Sequence, residues 1–290
     1  MNRLLIIGCG DVASRALPWL RRRFRVYALV RNMAGAQALR AQGITPILGD
    51  LDQPRSLKRL AGLAHYVLHS APPAETTTDD ARTRRLLATL AQGQSLARAM
   101  VYISTTGVYG DCQGACVDES RPLRPATARA QRRVAAEQCL RRFASRQGCA
   151  LRILRAPGIY AAQRLPLARL RQASPVLCAQ EDVYTNHVHA DDLAHAACLA
   201  LLRGPRLRVY NVCDDTHLKM GDWYDALADA AGLPRPPRAT WAECAASLSP
   251  ATLSFMGESR RICNTRIKRE LRWQPAYPDV VAALPQLLKD

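Results

Sequence analysis

Two glycines, one arginine and one threonine stand where their residue types could do chemistry. Near the start, an apolar run Leu4-Leu5-Ile6-Ile7 leads into Gly8-Cys9-Gly10-Asp11-Val12-Ala13. Glycines at that spacing allow a tight turn and a close backbone approach to a pyrophosphate, which then sits on the N-terminus of the following helix; the small Ala13 lets that helix pack against the strand. The backbone around Gly8, Gly10, Asp11 and Val12 is therefore a candidate dinucleotide cradle. The next strand ends in Val30-Arg31-Asn32, with no acid to receive a ribose 2′-hydroxyl. Arg31 suits a 2′-phosphate instead, so NADP(H) is favoured over NAD(H). Thr105 follows the apolar run 99–104 and carries a hydroxyl at its end.

The elements needed to position these residues are legible in the periodicity. Short apolar runs over 4–8, 25–30, 45–48, 65–71, 99–104 and 151–155 alternate with helical patterns over 11–23, 34–42, 79–92 and 126–146. Such alternation is the signature of βαβ units and a parallel sheet. Pro18 falls inside the first helix, and Asp52 reads as the N-cap of a helix opening near Pro54. The fold class expected is α/β, a doubly wound parallel sheet with a smaller C-terminal substrate lobe. Residues 1–160 form the dinucleotide-binding domain, with contributions from about 183–212 that include a returning strand over 208–212. The proline-punctuated stretch 161–290 forms the lobe.

Five further segments carry a family resemblance. Gly49-Asp50-Leu51-Asp52, Ser104-Thr105-Thr106-Gly107-Val108-Tyr109-Gly110, Leu154-Arg155-Ala156-Pro157-Gly158-Ile159-Tyr160, Asn186-His187-Val188-His189-Ala190-Asp191-Asp192 and Ile267-Lys268-Arg269-Glu270-Leu271-Arg272-Trp273-Gln274-Pro275 follow in order. Together with the glycine turn they resemble the NAD-dependent epimerase/dehydratases of the extended short-chain dehydrogenase/reductase superfamily, along essentially the whole chain. The resemblance implies an NAD(P)-binding Rossmann fold and an oxidoreductase or epimerase acting on a carbonyl or nucleotide-sugar substrate. It places Asp50 and Leu51 at the adenine, and Ser70, Ala71 and Pro157 against the cofactor. It makes Thr105 a catalytic hydrogen-bond partner, with Thr106 beside the substrate. It also implies a homodimer, paired through the helices after strands four and five.

The departure from the family lies in the Tyr-x-x-x-Lys pair, whose tyrosine transfers the proton and whose lysine holds the nicotinamide ribose. Matching through Pro122-Leu123-Arg124-Pro125 and Ala135-Ala136-Glu137-Gln138 puts Arg129 and Arg133 at those two positions. A guanidinium stays protonated near neutral pH, so Arg129 cannot replace the tyrosine as acid and is read as a substrate contact. Arg133 can still hold the ribose. The proton must then come from another donor: water, Tyr109 as the candidate substitute acid, or Tyr160, another tyrosine expected near the nicotinamide. Arg260 and Arg261 are placed to grip an anionic substrate. The alternative is a chain that keeps its NADP(H) site but has lost chemistry, as a sensor or interaction protein.

Bulk properties narrow the classes. The formal charge is +17, but the arginines are scattered in small groups without aromatic interleaving, which argues against nucleic acid. No apolar run approaches the roughly 20 residues of a membrane span. The N-terminal run is too short for a signal-peptide core, which predicts a soluble cytoplasmic protein. The ten cysteines include no CxxC pair, and Cys112-x-x-x-Cys116 lacks a partner at zinc-finger spacing, so no metal is expected. His187 and His189 are read as stabilising the loop to the lobe, with Asp191 or Asp192 capping the next helix.

Overall fold

The structure, a computed structural model, describes residues 1–75 and 78–289. Seven strands form one parallel sheet: β1 (Asn2–Ile7), β2 (Phe24–Val30), β3 (Thr45–Leu48), β4 (Tyr66–His69), β5 (Ala99–Thr105), β6 (Ala150–Ala156) and β7 (Leu207–Asn211). Their order is β7-β6-β5-β4-β1-β2-β3, so the direction of winding reverses beside β1. That reversal opens a crevice at the carboxyl ends of the strands, where ligands of such sheets bind.

Alternation along the strands divides the core between two faces. Leu4, Ile6, Val26, Ala28, Leu68, Val101 and Ile103 pack against α1 (Asp11–Arg21), α2 (Met33–Ala41) and the later helix Ala190–Leu202. Leu5, Ile7, Tyr27, Val67, Met100 and Tyr102 face the other way, toward α3 (Ala81–Leu90) and α4 (Ala128–Gln147). The helix Ala190–Leu202, here α5, is apolar nearly all round because it is covered on most sides. No helix among the described residues is long and apolar enough to cross a membrane.

A third apolar cluster, including Tyr160, Trp223, Tyr224, Leu227 and Leu284, lies outside the sheet. It is tied to the sheet by two- and three-residue strands, such as Cys116–Val117 beside Arg261–Ile262 and Gly158–Tyr160 beside His187–His189.

Three local readings are corrected. Helix α1 runs through Pro18 but stops at Arg21, short of residue 23. Asp52 caps nothing: Pro54–Leu60 is a 3-10 turn with Gln53 at its cap, and the Asp52 carboxylate instead binds Arg82. The cap of α5 is the His189 side chain, whose Nδ1 accepts from the Asp191 N–H at 3.3 Å. Asp191 pairs with Arg15, while Asp192 accepts the N–H groups of Ala276 and Tyr277 and so fastens the C-terminal segment.

Candidate active site

β1 ends at Ile7, and the chain turns through Gly8 with φ of +86°, a conformation that suits glycine. A Cβ on Gly8 would lie 2.5 Å from the backbone nitrogen of Ala71, so the turn touches the loop after β4 backbone to backbone. At Gly10 the reverse holds: an added Cβ would meet nothing within 4 Å. Gly10, Asp11, Val12 and Ala13 line the larger cavity, so the first turn of α1 borders open space, as a phosphate cradle requires. The Ser70 hydroxyl donates to the Gly8 carbonyl, and the Ser70 and Ala71 N–H groups both donate to the Ile7 carbonyl.

Two cavities meet at this turn, and Gly8, Gly10 and Ser70 line both. The smaller, about 390 Å³, is bounded by Arg31, Asp50, Leu51, Ala71 and Arg82. The larger, about 530 Å³, runs from Asp11 and Val12 past the β5 tip to the lobe. A chain of two joined chambers with an open helix N-terminus at the waist fits a dinucleotide bent over the glycine turn.

In the larger cavity, Thr105, Thr106, Arg129, Arg133, Pro157 and Arg260 all contribute to the wall. The Thr105 Oγ1 accepts from the Gly107 N–H at 3.2 Å, which leaves its own proton free to donate. Arg133 is fixed by Nη1, which donates to the Tyr102 hydroxyl and the Ile103 carbonyl, each at 2.9 Å. The Asp11 carboxylate turns away to Arg15 and Arg164, so what Asp11 offers the cradle is its backbone. The Asp50 carboxylate accepts the Asp52 N–H, folding its own loop.

The structure removes Tyr109 from the catalytic set. Its ring is buried, its hydroxyl donates to Asn211 Oδ1 at 2.7 Å and accepts from Arg155 Nη1 at 2.9 Å, and it does not line the cavity. Burial pushes its pKa up to about 12 despite the Arg155 charge. Tyr160 is likewise buried in the lobe's apolar cluster, off the cavity wall, and its pKa is raised by desolvation. His69 is held down to about 3 by burial, with Nε2 at 2.9 Å from Thr83 Oγ1, so it is an ordinary core residue. His187 is neutral for the same reason, lowered to about 4, and packs on Trp223. Arg261 leaves the site: its Nε donates to the Gly114 carbonyl.

Behind the wall lies a buried network that ties α4 to the sheet. Arg155 grips Glu137 through Nε at 3.0 Å and Nη2 at 2.6 Å, and Ser104 Oγ donates to the same carboxylate at 2.7 Å.

Several wall residues escaped the sequence reading. Arg164, Tyr184, Met220, Phe255 and Glu258 reach the larger cavity from the lobe, and Arg82 reaches the smaller one from α3. Only the short Glu258-to-Arg260 spacing hinted at an ion pair; the two bond at 2.7 Å.

The fold is of Rossmann type, and its two cavities straddle the first βα turn. A profile of the NAD-dependent epimerase/dehydratase family matches residues 20–213. The chain belongs to that family. It is 27% identical over 250 residues to the 4-hydroxy-2-methyl-3-oxo-4-farnesyl-3,4-dihydroquinoline-1-oxide ketoreductase of Stigmatella aurantiaca, covering 80% of this chain and 74% of that one. It also resembles a conserved protein of unknown function from Silicibacter pomeroyi, with 30% identity and a TM-score of 0.80 over 100% of this chain and 99% of that one. The UDP-glucose 4-epimerase of Thermotoga maritima, solved with UDP-glucose, shares the fold at 17% identity, with a TM-score of 0.79 over 99% and 97% of the two chains.

Proposed function

We propose that this chain is an NADP(H)-dependent oxidoreductase acting on a small carbonyl or alcohol substrate. The observation that carries the reading is the pair of cavities joined at an open glycine turn. The adenosine half would occupy the smaller cavity, with Asp50 and Leu51 at the adenine. Arg31, which lines that cavity, would receive the 2′-phosphate. The N–H groups from Gly10 to Val12 would hold the pyrophosphate, with Ser70, Ala71 and Pro157 against the cofactor.

When bound, a nicotinamide cofactor would supply the hydride or take it up, with the larger cavity's residues around the substrate. Around it the chain's own groups divide the work. Arg133, anchored through Nη1 by Tyr102 and Ile103, would keep its other donors for the ribose. Thr105 donates its hydroxyl proton as a hydrogen bond to the substrate oxygen. With Tyr109 locked into the network, the proton that completes reduction comes from water in the cavity. That the relative from Stigmatella aurantiaca is a ketoreductase supports the carbonyl reading. The nucleotide-sugar alternative draws on the epimerase solved with UDP-glucose.

A second reading, an NADP(H)-binding sensor without turnover, is favoured by one observation: Arg129 lines the cavity where the family's tyrosine is expected. Either reading requires dinucleotide binding. A fluorescence titration with NADPH and NADH, on wild type and Arg31→Asp, tests it. The expected outcome is an NADPH preference of about 10- to 100-fold that collapses in the variant, the scale of one charge-assisted phosphate contact. Binding of neither nucleotide refutes both readings.

A further inference from the structure

The charges in the wall of the larger cavity do not balance. Asp11 is matched by Arg15 and Arg164, and Glu258 by Arg260. Arg129 and Arg133 remain, and neither has a carboxylate within ion-pair distance among the described residues. They stand four positions apart on the first turns of α4, where like charges share a face and repel. Arg133 has partners in Tyr102 and Ile103. Arg129 makes no hydrogen bond among the described residues; its guanidinium lies over the Phe255 ring, 4.2 Å from the centroid. A guanidinium held over an aromatic ring and bonded to no other group keeps its donors for an anion.

Its level in the site follows from the fold. The crossover from β5 to the parallel β6 makes α4 run back antiparallel to β5. Arg133 bonds the Ile103 carbonyl. Arg129 lies one helical turn beyond it, about 6 Å, and Thr105 lies two strand residues beyond Ile103, about 6.6 Å. Both therefore lie on the carboxyl-end side of the Arg133–Ile103 contact, and both line the larger cavity. Ile159, Met220, Tyr184 and Phe255 give the same cavity its apolar surface, beside the polar Thr185 and Asn186.

We propose that the substrate is an oxo acid or hydroxy acid on an apolar, ring-sized body, with Arg129 gripping its carboxylate and Thr105 its adjacent carbonyl or hydroxyl oxygen. This rests on the oxidoreductase reading above and gives that reaction a substrate class. Arginine at this position thus exchanges a proton carrier for a fixed anion receptor.

The test uses phenylpyruvate and 1-phenylpropan-2-one, which differ only by carboxylate against methyl. Each is titrated calorimetrically into the protein alone and with saturating NADP+, in wild type, Arg129→Gln and Arg129→Lys. Wild type should prefer phenylpyruvate by about tenfold or more, as expected for one bidentate charge-assisted pair. Arg129→Gln should erase that preference while leaving NADPH affinity within twofold, and Arg129→Lys should keep part of it. Equal binding of the two probes, no binding of phenylpyruvate at millimolar concentration, or a preference that survives Arg129→Gln overturns the proposal. If NADPH fails to bind while the Arg129-dependent preference persists, the anion site stands and the oxidoreductase reading falls. If NADPH binds and the preference is absent, only the substrate class falls.

Discussion

Gly10→Ala and Gly8→Ala should separate fold from function within three residues. Gly8 holds a left-handed φ of +86°, and a Cβ there would sit 2.5 Å from the Ala71 nitrogen and 2.7 Å from its Cα. A side chain in that conformation costs about 1–2 kcal/mol, and forcing backbones apart adds about 1–3 kcal/mol. Gly8→Ala should thus lose about 2–5 kcal/mol, a large part of the usual margin. Gly10 has φ of −88° and ψ of −166°, which alanine adopts freely, and the added methyl touches nothing. Its stability should stay within about 1 kcal/mol of wild type, since a weaker cap is offset by a stiffer unfolded chain. The same methyl would fill the space assigned to the pyrophosphate. Losing one or more amide-to-phosphate bonds, about 1.5–3 kcal/mol, weakens NADPH by about 10- to 150-fold. Urea unfolding and NADPH fluorescence on the two variants provide the assay. Undiminished NADPH affinity in Gly10→Ala would place the phosphates elsewhere. Equal destabilisation by both substitutions would show that the turn is not built as described.

Three other outcomes follow from the buried polar groups. Tyr109→Phe strands the Arg155 and Asn211 partners of a buried hydroxyl; it should cost about 1–3 kcal/mol in urea unfolding while NADPH affinity stays unchanged. Glu137→Gln leaves the Arg155 guanidinium buried without its counter-charge and should cost about 3–5 kcal/mol, measured the same way. Asp214 is raised by burial to about 7, so its folded form favours the proton. Its contribution to stability is full below the ordinary carboxylate range and is lost as pH climbs to about 7. Against Asp214→Asn, wild type should therefore lose ground between pH 4 and pH 7.5, by at most about 4 kcal/mol; a pH-independent difference in melting temperature would refute this.

The sheet was legible because strands and helices write different periods into the sequence. Thr45–Leu48 falls where the apolar run predicts, and Gly43 and Gly148 end α2 and α4 with positive φ. The lobe was not legible, because its strands are two or three residues long, too short to show alternation. The same limit governs the site. The cradle is local, carried by consecutive residues after one strand. The far wall is not: Phe255 enters through the packing of the short helix Pro250–Met256, and nothing in its neighbours announces a cavity. Tyr109 shows how a motif can be read and its role missed. The motif placed the residue after β5, but Asn211, 102 positions away, decides where the hydroxyl goes. Asp52 and Asp192 failed similarly, since each found a tertiary partner that outbid a local cap.

The pairing of Arg260 with the Gly110 carbonyl, 150 positions earlier, sets an order on the making of the molecule. The loop after β5 also depends on the Ser259 carbonyl, which accepts from Cys112 and Gly114, and on Ile262, which packs with Val108 and Val117. At about 5–20 residues per second of synthesis, those partners emerge roughly 8–30 s after the loop does. Through that interval the glycine turn, β1 and β2 are already outside the ribosome, while Val108, Cys112 and Val117 lack the strand that will cover them. The nascent chain thus holds the loop after β5 open until its last third is made, and exposure to misassembly is concentrated in the loop that waits.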